Sequence, residues 1–358
     1  MQLVDGMDNS SPLLNFPLGN MVGLSELDVQ SVELLPGASS ALYGANAFNG
    51  ILFMNSKSPF TNQGISAYVK YGQTNQKAAG SNDFYDYGIR AAHAFTKWFA
   101  AKANFTFMKG TDWHAVNYDD KTRQGVGVDR FTPDYDGINV YGDEAFTNIK
   151  AVAPKMLEAG FITPEQLVVF NNVLPDMNVS RTGYNEVDLT DNKVSNTKID
   201  LSLHFKPFKN DTEIIWQSKF GFGNAVYQGA SRYYLNNFFI QQHKLEVKGK
   251  NFFVRGYTTT EDGGNSYDML FTGINVNRQW KADKTWFGEY AGAFVQGTLA
   301  GLTPQQAHNL ARTTADTGRF IPGTSAFNNA FKKVTAEADV LSGSKLVDNS
   351  RIYHVDAN

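Results

Sequence analysis

Several stretches of the chain alternate apolar and polar residues with a period of two. The clearest covers residues 199–206, with apolar residues at the odd positions and polar residues at the even ones. This period indicates β-strands that have one apolar and one polar face. The pattern predicts about seven strands, at residues 65–71, 83–95, 98–107, 199–206, 212–222, 238–248 and 251–260, with an eighth beginning at Arg351.

The predicted connections between these strands alternate in length. Short connections are predicted at residues 96–97, 207–211 and 248–251, and longer ones at residues 72–82, 110–195, 223–237 and 261–350. Outer-membrane β-barrels have tight periplasmic turns and longer outer loops, and their strands need roughly ten residues to cross the bilayer. The sequence therefore predicts an all-β protein containing part of a transmembrane antiparallel β-barrel.

The two longest connections also contain helix-start signals. Thr163-Pro164 is followed by Gln166, and Thr303-Pro304 is followed by Gln306. Each combines an N-cap threonine, a proline at the first helical position and a glutamine that can complete a capping box. Loops of this length are uncommon unless functional. We therefore expect helical segments that fold over the barrel mouth.

The first 60 residues have a different pattern, with short elements separated by turns. Residues 32–35 predict a short strand, Pro36-Gly37 a turn, residues 39–43 one helical turn, and residues 51–55 another short strand. A further strand at residues 1–4 leads into Gly6. From pattern alone, residues 31–57 fit a strand–turn–helix–strand corner of an α/β protein equally well.

Composition narrows the choice of protein class. Aromatic residues make up 13% of the chain and charged residues only 19%, which suits a β-rich protein with many turns. The formal net charge is −3 without a basic block, so nothing indicates nucleic-acid binding. The absence of cysteine excludes disulfides and thiolate metal sites. No apolar run approaches the 18 or more residues of a transmembrane helix.

Residues 31–57 resemble the end of the plug domain in TonB-dependent outer-membrane receptors. The matching positions, which form the predicted plug signature, are Glu33, Pro36, Gly37, Tyr43, Gly44, Asn46 and Gly50, followed by an apolar strand. The Leu-Pro-Gly turn, the Asn-Ala-Phe-Asn-Gly run and the loop at residues 134–144 are similar to those of receptors of the Bacteroidota.

The resemblance implies a division of the chain and a function. Residues 1–60 are expected to be the C-terminal part of a plug, and residues 61–358 the N-terminal, incomplete part of a barrel of about 22 strands. We expect the working protein to be longer, because an open sheet edge is not tolerated in lipid. By resemblance it lies in the outer membrane of a Gram-negative bacterium and imports a nutrient ligand.

The resemblance also implies the partners. They are outer-membrane lipid, the TonB energy-coupling complex, an extracellular nutrient and, as in many Bacteroidota relatives, a surface lipoprotein. Such a receptor makes and breaks no bonds, so we expect no enzymatic activity, no catalytic residues and no cofactor. The ligand stays open between a glycan, a peptide, an iron complex and cobalamin.

Several polar groups are candidates for other chemistry. Acids in the long loop could bind calcium, but they lack the spacing of an EF-hand, so acids exposed to solvent are the favoured interpretation. These acids and one histidine are Asp112, His114, Asp119, Asp120, Asp129, Asp134 and Asp136. Glu186, Asp188 and Asp191 offer paired carboxylates for hydrolysis, but no apolar pocket is visible around them. Aromatic loop residues could stack on a sugar or peptide ligand: Trp113, Tyr118, Tyr135, Tyr233 and Tyr234.

Two alternative functions stay open at this point. One is an outer-membrane adhesin or secretion-linked barrel that transports nothing, which an upstream TonB-binding segment would exclude. The other is a secreted β-rich glycan hydrolase. A hydrolase should lack the alternation of loop lengths and should carry two acids on facing strands.

Overall fold

A small sheet forms the first part of the computed structural model, which describes residues 1–358 except 16, 19, 20, 38–42, 44–46, 48, 126 and 209. Its strands are β1 (Gln2–Val4), β2 (Met7–Asp8), β3 (Val29–Pro36) and β4 (Gly50–Ser56), in the spatial order β2-β1-β4-β3. β1 and β4 are parallel, and the other neighbours are antiparallel. A 3-10 helix, Glu26–Asp28, leads into β3.

A large antiparallel sheet follows and dominates the fold. Its long strands are β5 (Gly64–Gln76), β6 (Gly80–Ala94), β7 (Phe99–Thr111), β12 (Lys193–Phe205), β13 (Glu213–Gln228), β14 (Arg232–Lys248), β15 (Phe253–Asp262) and β17 (Arg351–Ala357). They are neighbours in chain order, as in a β-meander. The seven predicted strands and the eighth at Arg351 are confirmed, and so is the mainly antiparallel β class.

The alternation of loop lengths is confirmed only in part. The turns at residues 95–98, 206–212 and 249–252 are short, and the connections at 112–192 and 263–350 are long, as predicted. The predicted loops at 72–82 and 223–237 are wrong, since β5–β6 and β13–β14 continue to tight turns at 77–79 and 229–231. Polar residues form the extension of β5 and β6, where pairing between the strands satisfies the backbone groups without an apolar face. The extension of β13 and β14 instead includes Tyr234 and Leu235, which are buried in hydrophobic clusters.

The two long connections carry the helices. These are α1 (Val152–Glu158), α2 (Pro164–Val173), α3 (Glu186–Leu189), α4 (Met269–Trp280), α5 (Asp283–Leu299), α6 (Pro304–Ala315) and α7 (Ser325–Ala336). Short strands accompany them: β8 (Val140–Tyr141), β9 (Phe146–Asn148), β10 (Asn178–Ser180), β11 (Tyr184–Asn185) and β16 (Tyr267–Asp268). Both predicted capping boxes, at Thr163 and Thr303, are present. Within the described part of the chain, no helix has the length and apolar character needed to cross a membrane.

The long connections pack together into one unit, which we call the loop domain (residues 112–192 and 263–350). A shared core buries Ile149 and Phe170 from the first connection with Trp286 and Phe294 from the second. Arg181, almost completely buried, donates from Nη1 to Asp283 Oδ1 at 2.7 Å and to the Lys281 carbonyl at 2.9 Å. The helical segments expected from the sequence therefore pack into one unit with its own core.

Candidate functional site at the contact between the two sheets

The two faces of the large sheet have an inverted polarity. The face that the small sheet covers carries buried polar and charged side chains, including Arg90, Lys102, Asn104, Ser202, Gln217, Lys219, Gln242 and Lys244. The opposite face exposes large apolar side chains, including Ile65, Val69, Ile89, Phe105, Leu201, Trp216, Leu245 and Val254. A water-soluble sheet normally buries its apolar face, so the outer face of this sheet requires an apolar surrounding.

Strand β7 shows how the sequence produces this arrangement. Lys102, Asn104 and Thr106 are 4–6% exposed toward the small sheet, whereas Phe105 between them is 42% exposed on the other face. Because side chains alternate between faces, a register slip of one residue would exchange the two surfaces. Two polar side chains on the outer face, Ser218 and His243, contact each other, with Ser218 Oγ 2.7 Å from His243 Nδ1.

Aromatic rings mark both ends of the apolar outer face. Toward the tight turn at 77–79, rings stack across β5, β6 and β7 at centroid distances of 5.4–6.5 Å; they are Tyr71, Tyr85, Tyr87 and Phe107. Near the turn at 95–98, Phe99 stacks on Phe95 at 5.3 Å and on Phe205 at 5.0 Å, with Trp98 beside it. Two such bands are the arrangement found at the two interfaces of a bilayer.

Asp28 is the centre of the contact between the sheets on the β6–β7 side. Its carboxylate is fully buried and accepts from Arg90 Nε at 2.6 Å, Lys102 Nζ at 2.7 Å and Asn104 Nδ2 at 3.1 Å. Lys102 Nζ also donates to the carbonyl of Lys57 at 2.8 Å. Buried charges are tolerated when they are paired and hydrogen-bonded in this way. The contact therefore fixes the end of the 3-10 helix against the large sheet.

Asp5, in the turn between β1 and β2, makes the corresponding contact on the β13–β14 side. Its Oδ2 accepts from Gln217 Nε2 at 3.0 Å, and its Oδ1 accepts from the Ser56 amide at 2.8 Å. Burial alone would raise the pKa of Asp5, but Lys219 and Lys244, with smaller contributions from Lys102 and Gln217, lower that pKa well below its usual range. Asp5 is therefore ionised at neutral pH and faces the cationic side chains of Lys219 and Lys244.

Small residues allow the backbones to approach each other at this interface. A Cβ atom added to Gly221 on β13 would lie 2.3 Å from the carbonyl oxygen of Met21. Gln242 Nε2 donates to the carbonyl of Asp8 at 2.7 Å, and Lys244 Nζ donates to the carbonyl of Asp5 at 2.9 Å. The large sheet thus binds the backbone of the first residues as well as their carboxylates.

A cavity of about 460 Å³, lined by both polar and apolar residues, remains between the two sheets. Asp5, Tyr43 and Lys102 are among its lining residues, together with His204 and Glu213 of the large sheet. His204 Nδ1 lies 2.7 Å from Glu213 Oε1. Lys102 and Glu213 in this lining are thus already paired with other side chains.

The predicted plug signature is only partly brought together. Pro36 pairs with Gly50 across β3 and β4, and Gly37 takes a φ of +91°, which favours glycine. The Tyr43 ring lies 5.5 Å from that of Phe53, whereas Glu33 is exposed and accepts a hydrogen bond from Ser31 Oγ. Gly44 and Asn46 lie outside the described residues.

The candidate acids of the loop domain are mostly engaged in pairs. Arg123 bridges Asp120 and Asp134, and the hydrogen bond from Arg123 holds the pKa of Asp120 far below its usual range. Asp112 and Asp129 accept from backbone amides in turns. Asp136 lies instead beside Asp143 and Glu144, which are not among the acids proposed from the sequence.

Of the three carboxylates considered for hydrolysis, Glu186 and Asp191 are paired with other side chains. Glu186 is fully buried, accepts from Arg232 through both oxygens and accepts from Tyr141 Oη at 2.9 Å. Asp191 accepts from Tyr234 Oη at 3.0 Å. These contacts join the loop domain to β14, so they explain the acids as structural groups.

Sequence reasoning missed Asp5, Asp28 and Arg90 as interface residues. Arg90 and Lys102 occupy polar positions of alternating strands, which is the signal that places them on the covered face. Nothing in the local sequence identifies their partner, because Asp28 lies 62 residues before Arg90.

Comparisons with known proteins add structural likeness at low identity. No model of a known protein family matches the chain, and no curated protein sequence matches it. Among solved structures, the siderophore receptor PirA of Pseudomonas aeruginosa is similar over 75% of this chain, with 12% identity and a TM-score of 0.38. The FrpB iron transporter of Neisseria meningitidis is similar over 76%, with 11% identity and a TM-score of 0.38.

A third likeness is to the ferric yersiniabactin uptake receptor FyuA of Yersinia pestis, over 67% of this chain with 12% identity and a TM-score of 0.30. The chain spans only 32–37% of the length of these three structures. Likenesses of this size do not establish a family or a function.

Proposed function

We propose that the chain is part of a TonB-dependent outer-membrane receptor, in which residues 1–60 belong to the plug and residues 61–358 to the transmembrane barrel. The observation that carries this proposal is the inverted polarity of the large sheet. An apolar face that is exposed, beside a polar face that is covered by a separate small sheet, suits a barrel wall with lipid outside and a plug inside.

The orientation follows from the two ends of the sheet. The short turns at 95–98, 206–212 and 249–252 would face the periplasm, and the loop domain would face the exterior. Strands of 13–17 residues, such as β7 and β14, exceed the roughly ten residues that span the bilayer. Their polar ends would therefore extend out of the membrane toward the loop domain.

The ionic contact between the sheets supports an import mechanism. Asp5 and Asp28 hold the small sheet in place through hydrogen-bonded charges rather than a large apolar core, and a cavity lies beside Asp5. Such contacts can exchange protein partners for water when the plug is rearranged. Energy delivered through TonB would rearrange the plug and admit an extracellular nutrient, with no bond made or broken.

The sequences on both sides of the chain test this proposal. A signal peptide and a TonB-binding segment before residue 1, with further alternating strands after residue 358, would support the receptor and exclude an adhesin. A neighbouring gene for a surface lipoprotein would support the Bacteroidota type. Stop codons that bound the chain on both sides would overturn the transport function.

The orientation can be tested separately, because the chain contains no cysteine. Val168→Cys, on exposed α2, and Phe208→Cys, in an exposed short turn, place a single thiol at opposite ends of the sheet. A membrane-impermeant maleimide should label Val168→Cys in intact cells and Phe208→Cys only after the outer membrane is opened. Labelling of Phe208→Cys in intact cells, or of neither variant after opening, would contradict the proposed topology.

A further inference from the structure

Three acids of the loop domain form a compact cluster. Asp136, Asp143 and Glu144 each place one carboxylate oxygen so that the three oxygens lie within 4.8 Å of one another. Asp136 precedes strand β8, and Asp143 and Glu144 follow it, so the cluster lies around this one short strand of the loop. Like charges at this distance repel unless a cation or a proton lies between them.

Asp143 indicates independently that a hydrogen-bond donor or a cation is required at this cluster. The residue is 1% exposed, and its Oδ2 accepts from the amide of Gly137 at 2.9 Å. Its Oδ1 is enclosed and has no hydrogen-bond donor among the described residues. A buried carboxylate oxygen without a partner is costly, and structures normally satisfy it with a donor or a cation.

The charges around the cluster do not balance. Lys121 Nζ lies 2.6 Å from Asp136 Oδ1 and 3.1 Å from Glu144 Oε1, and it contributes one positive charge against three carboxylates. The nearby guanidinium of Arg123 is already shared between two further acids, Asp120 and Asp134. When all three carboxylates are ionised, two negative charges at the cluster are therefore not compensated by Lys121.

We propose that Asp136, Asp143 and Glu144 form a binding site for a divalent cation, and that calcium is the cation that fits. The ligand atoms are carboxylate oxygens, which hard cations prefer over the softer transition metals. Calcium accepts irregular sets of six to eight oxygens, whereas magnesium demands near-octahedral geometry and keeps most of its water. Water would complete the coordination on the side of Asp136, whose side chain is partly exposed.

The site lies where the first long connection meets the second. Gly142, between β8 and the two acids, packs so closely on α4 that an added Cβ would lie 2.9 Å from the Gly273 backbone. A cation held by Asp143 and Glu144 would therefore tie the turn at Asp136 to the segment that contacts α4. Calcium would stabilise the loop domain, and this role does not depend on the proposed transport function.

Calcium titration of the full chain in detergent micelles tests the site. After removal of metal with EDTA and exchange into chelator-free buffer, calorimetry should show binding of one Ca²⁺ per chain, with a rise in the melting temperature. Asp143→Asn and Glu144→Gln should each weaken binding at least tenfold. Asp134→Asn, an acid nearby that lies outside the cluster, is the matched control and should bind as the parent chain does.

The Lys121→Gln variant distinguishes a cation-binding site from a cluster that is held together by ion pairs alone. It also tests the proposal if Asp143→Asn fails to fold. Removal of the ammonium leaves three carboxylates, so this variant should melt lower than the parent chain in EDTA and recover most of the difference in Ca²⁺. Failure of the parent chain to bind Ca²⁺, parental affinity in Glu144→Gln, or a Lys121→Gln melting temperature that Ca²⁺ does not change would overturn the proposal.

Discussion

Arg90 Nε lies 2.6 Å from Asp28 Oδ1, and the two side chains are 4% and 0% exposed. This pair joins the large sheet to the small one at a point where water is excluded. Lys102 binds the other carboxylate oxygen at 2.7 Å, so a single acid compensates two buried cations. The contact thus concentrates much of the attachment of the small sheet in one side chain.

Replacement of Asp28 by Asn should therefore detach the small sheet. The variant leaves Arg90 and Lys102 buried without a counter-charge, which costs about 3–5 kcal/mol in comparable sites. Denaturant unfolding of the full chain in micelles should show this loss. Glu33→Gln changes an exposed acid of the same sheet and should stay within about 0.5 kcal/mol; equal effects of the two substitutions would contradict the role given to Asp28.

Gly221 should tolerate no side chain. A Cβ at this position would lie 2.3 Å from the carbonyl oxygen of Met21, so Gly221→Ala must push the first residues away from β13. We expect a loss of about 1–3 kcal/mol, as for overpacked sites. Gly292→Ala in α5 is the control, because no atom lies within 4 Å of its added Cβ and alanine favours the helix. A melting temperature unchanged by Gly221→Ala would show that the segment at Met21 does not press on β13.

The alternation of residues predicts the strands of the large sheet because two different environments act on its two faces. Residues 199–206 are predicted as a strand for this reason. Residues 72–76 are not predicted as a strand, because Gln73, Thr74 and Asn75 are polar on both faces and only their pairing with β6 shows the strand. The sequence therefore predicts where a strand meets apolar surroundings, and it fails where the strand continues beyond them.

Prediction from the sequence is limited in the same way for contacts between residues that are far apart along the chain. Helix starts at Thr163 and Thr303 can be predicted, because a capping box involves four consecutive residues. The contact of Arg181 with Asp283 joins residues 102 positions apart, and nothing local to either residue specifies the other. Hence the sequence predicts the helices of the loop domain but not that the two connections fold into one unit.

Introduction of a charge on the outer face tests whether lipid covers it. Val69 is 77% exposed on β5, and Val168 is 61% exposed on α2. In lipid, Val69→Arg should cost up to about 2–4 kcal/mol, with the largest effect near the middle of the bilayer. Val168→Arg should change stability by less than about 0.5 kcal/mol, as at an ordinary surface. Urea unfolding in lipid vesicles measures both, and equal tolerance of the two arginines would exclude a membrane face on β5.

His308 should make the α5–α6 pair of helices sensitive to acid. Its ring is 7% exposed beside Tyr290, and burial, aided by Arg312, lowers its pKa from 6.5 to about 4. Because the unfolded state binds the proton more readily, the stabilisation is complete above pH 6.5 and is lost as pH falls toward 4, by roughly 3 kcal/mol in all. Hydrogen exchange of residues 283–315, corrected for the intrinsic rate, should show the loss at pH 4.5 relative to pH 7. In His308→Asn, which keeps an acceptor for Tyr290, that dependence should largely disappear; the same pH dependence in both chains would assign it to another group.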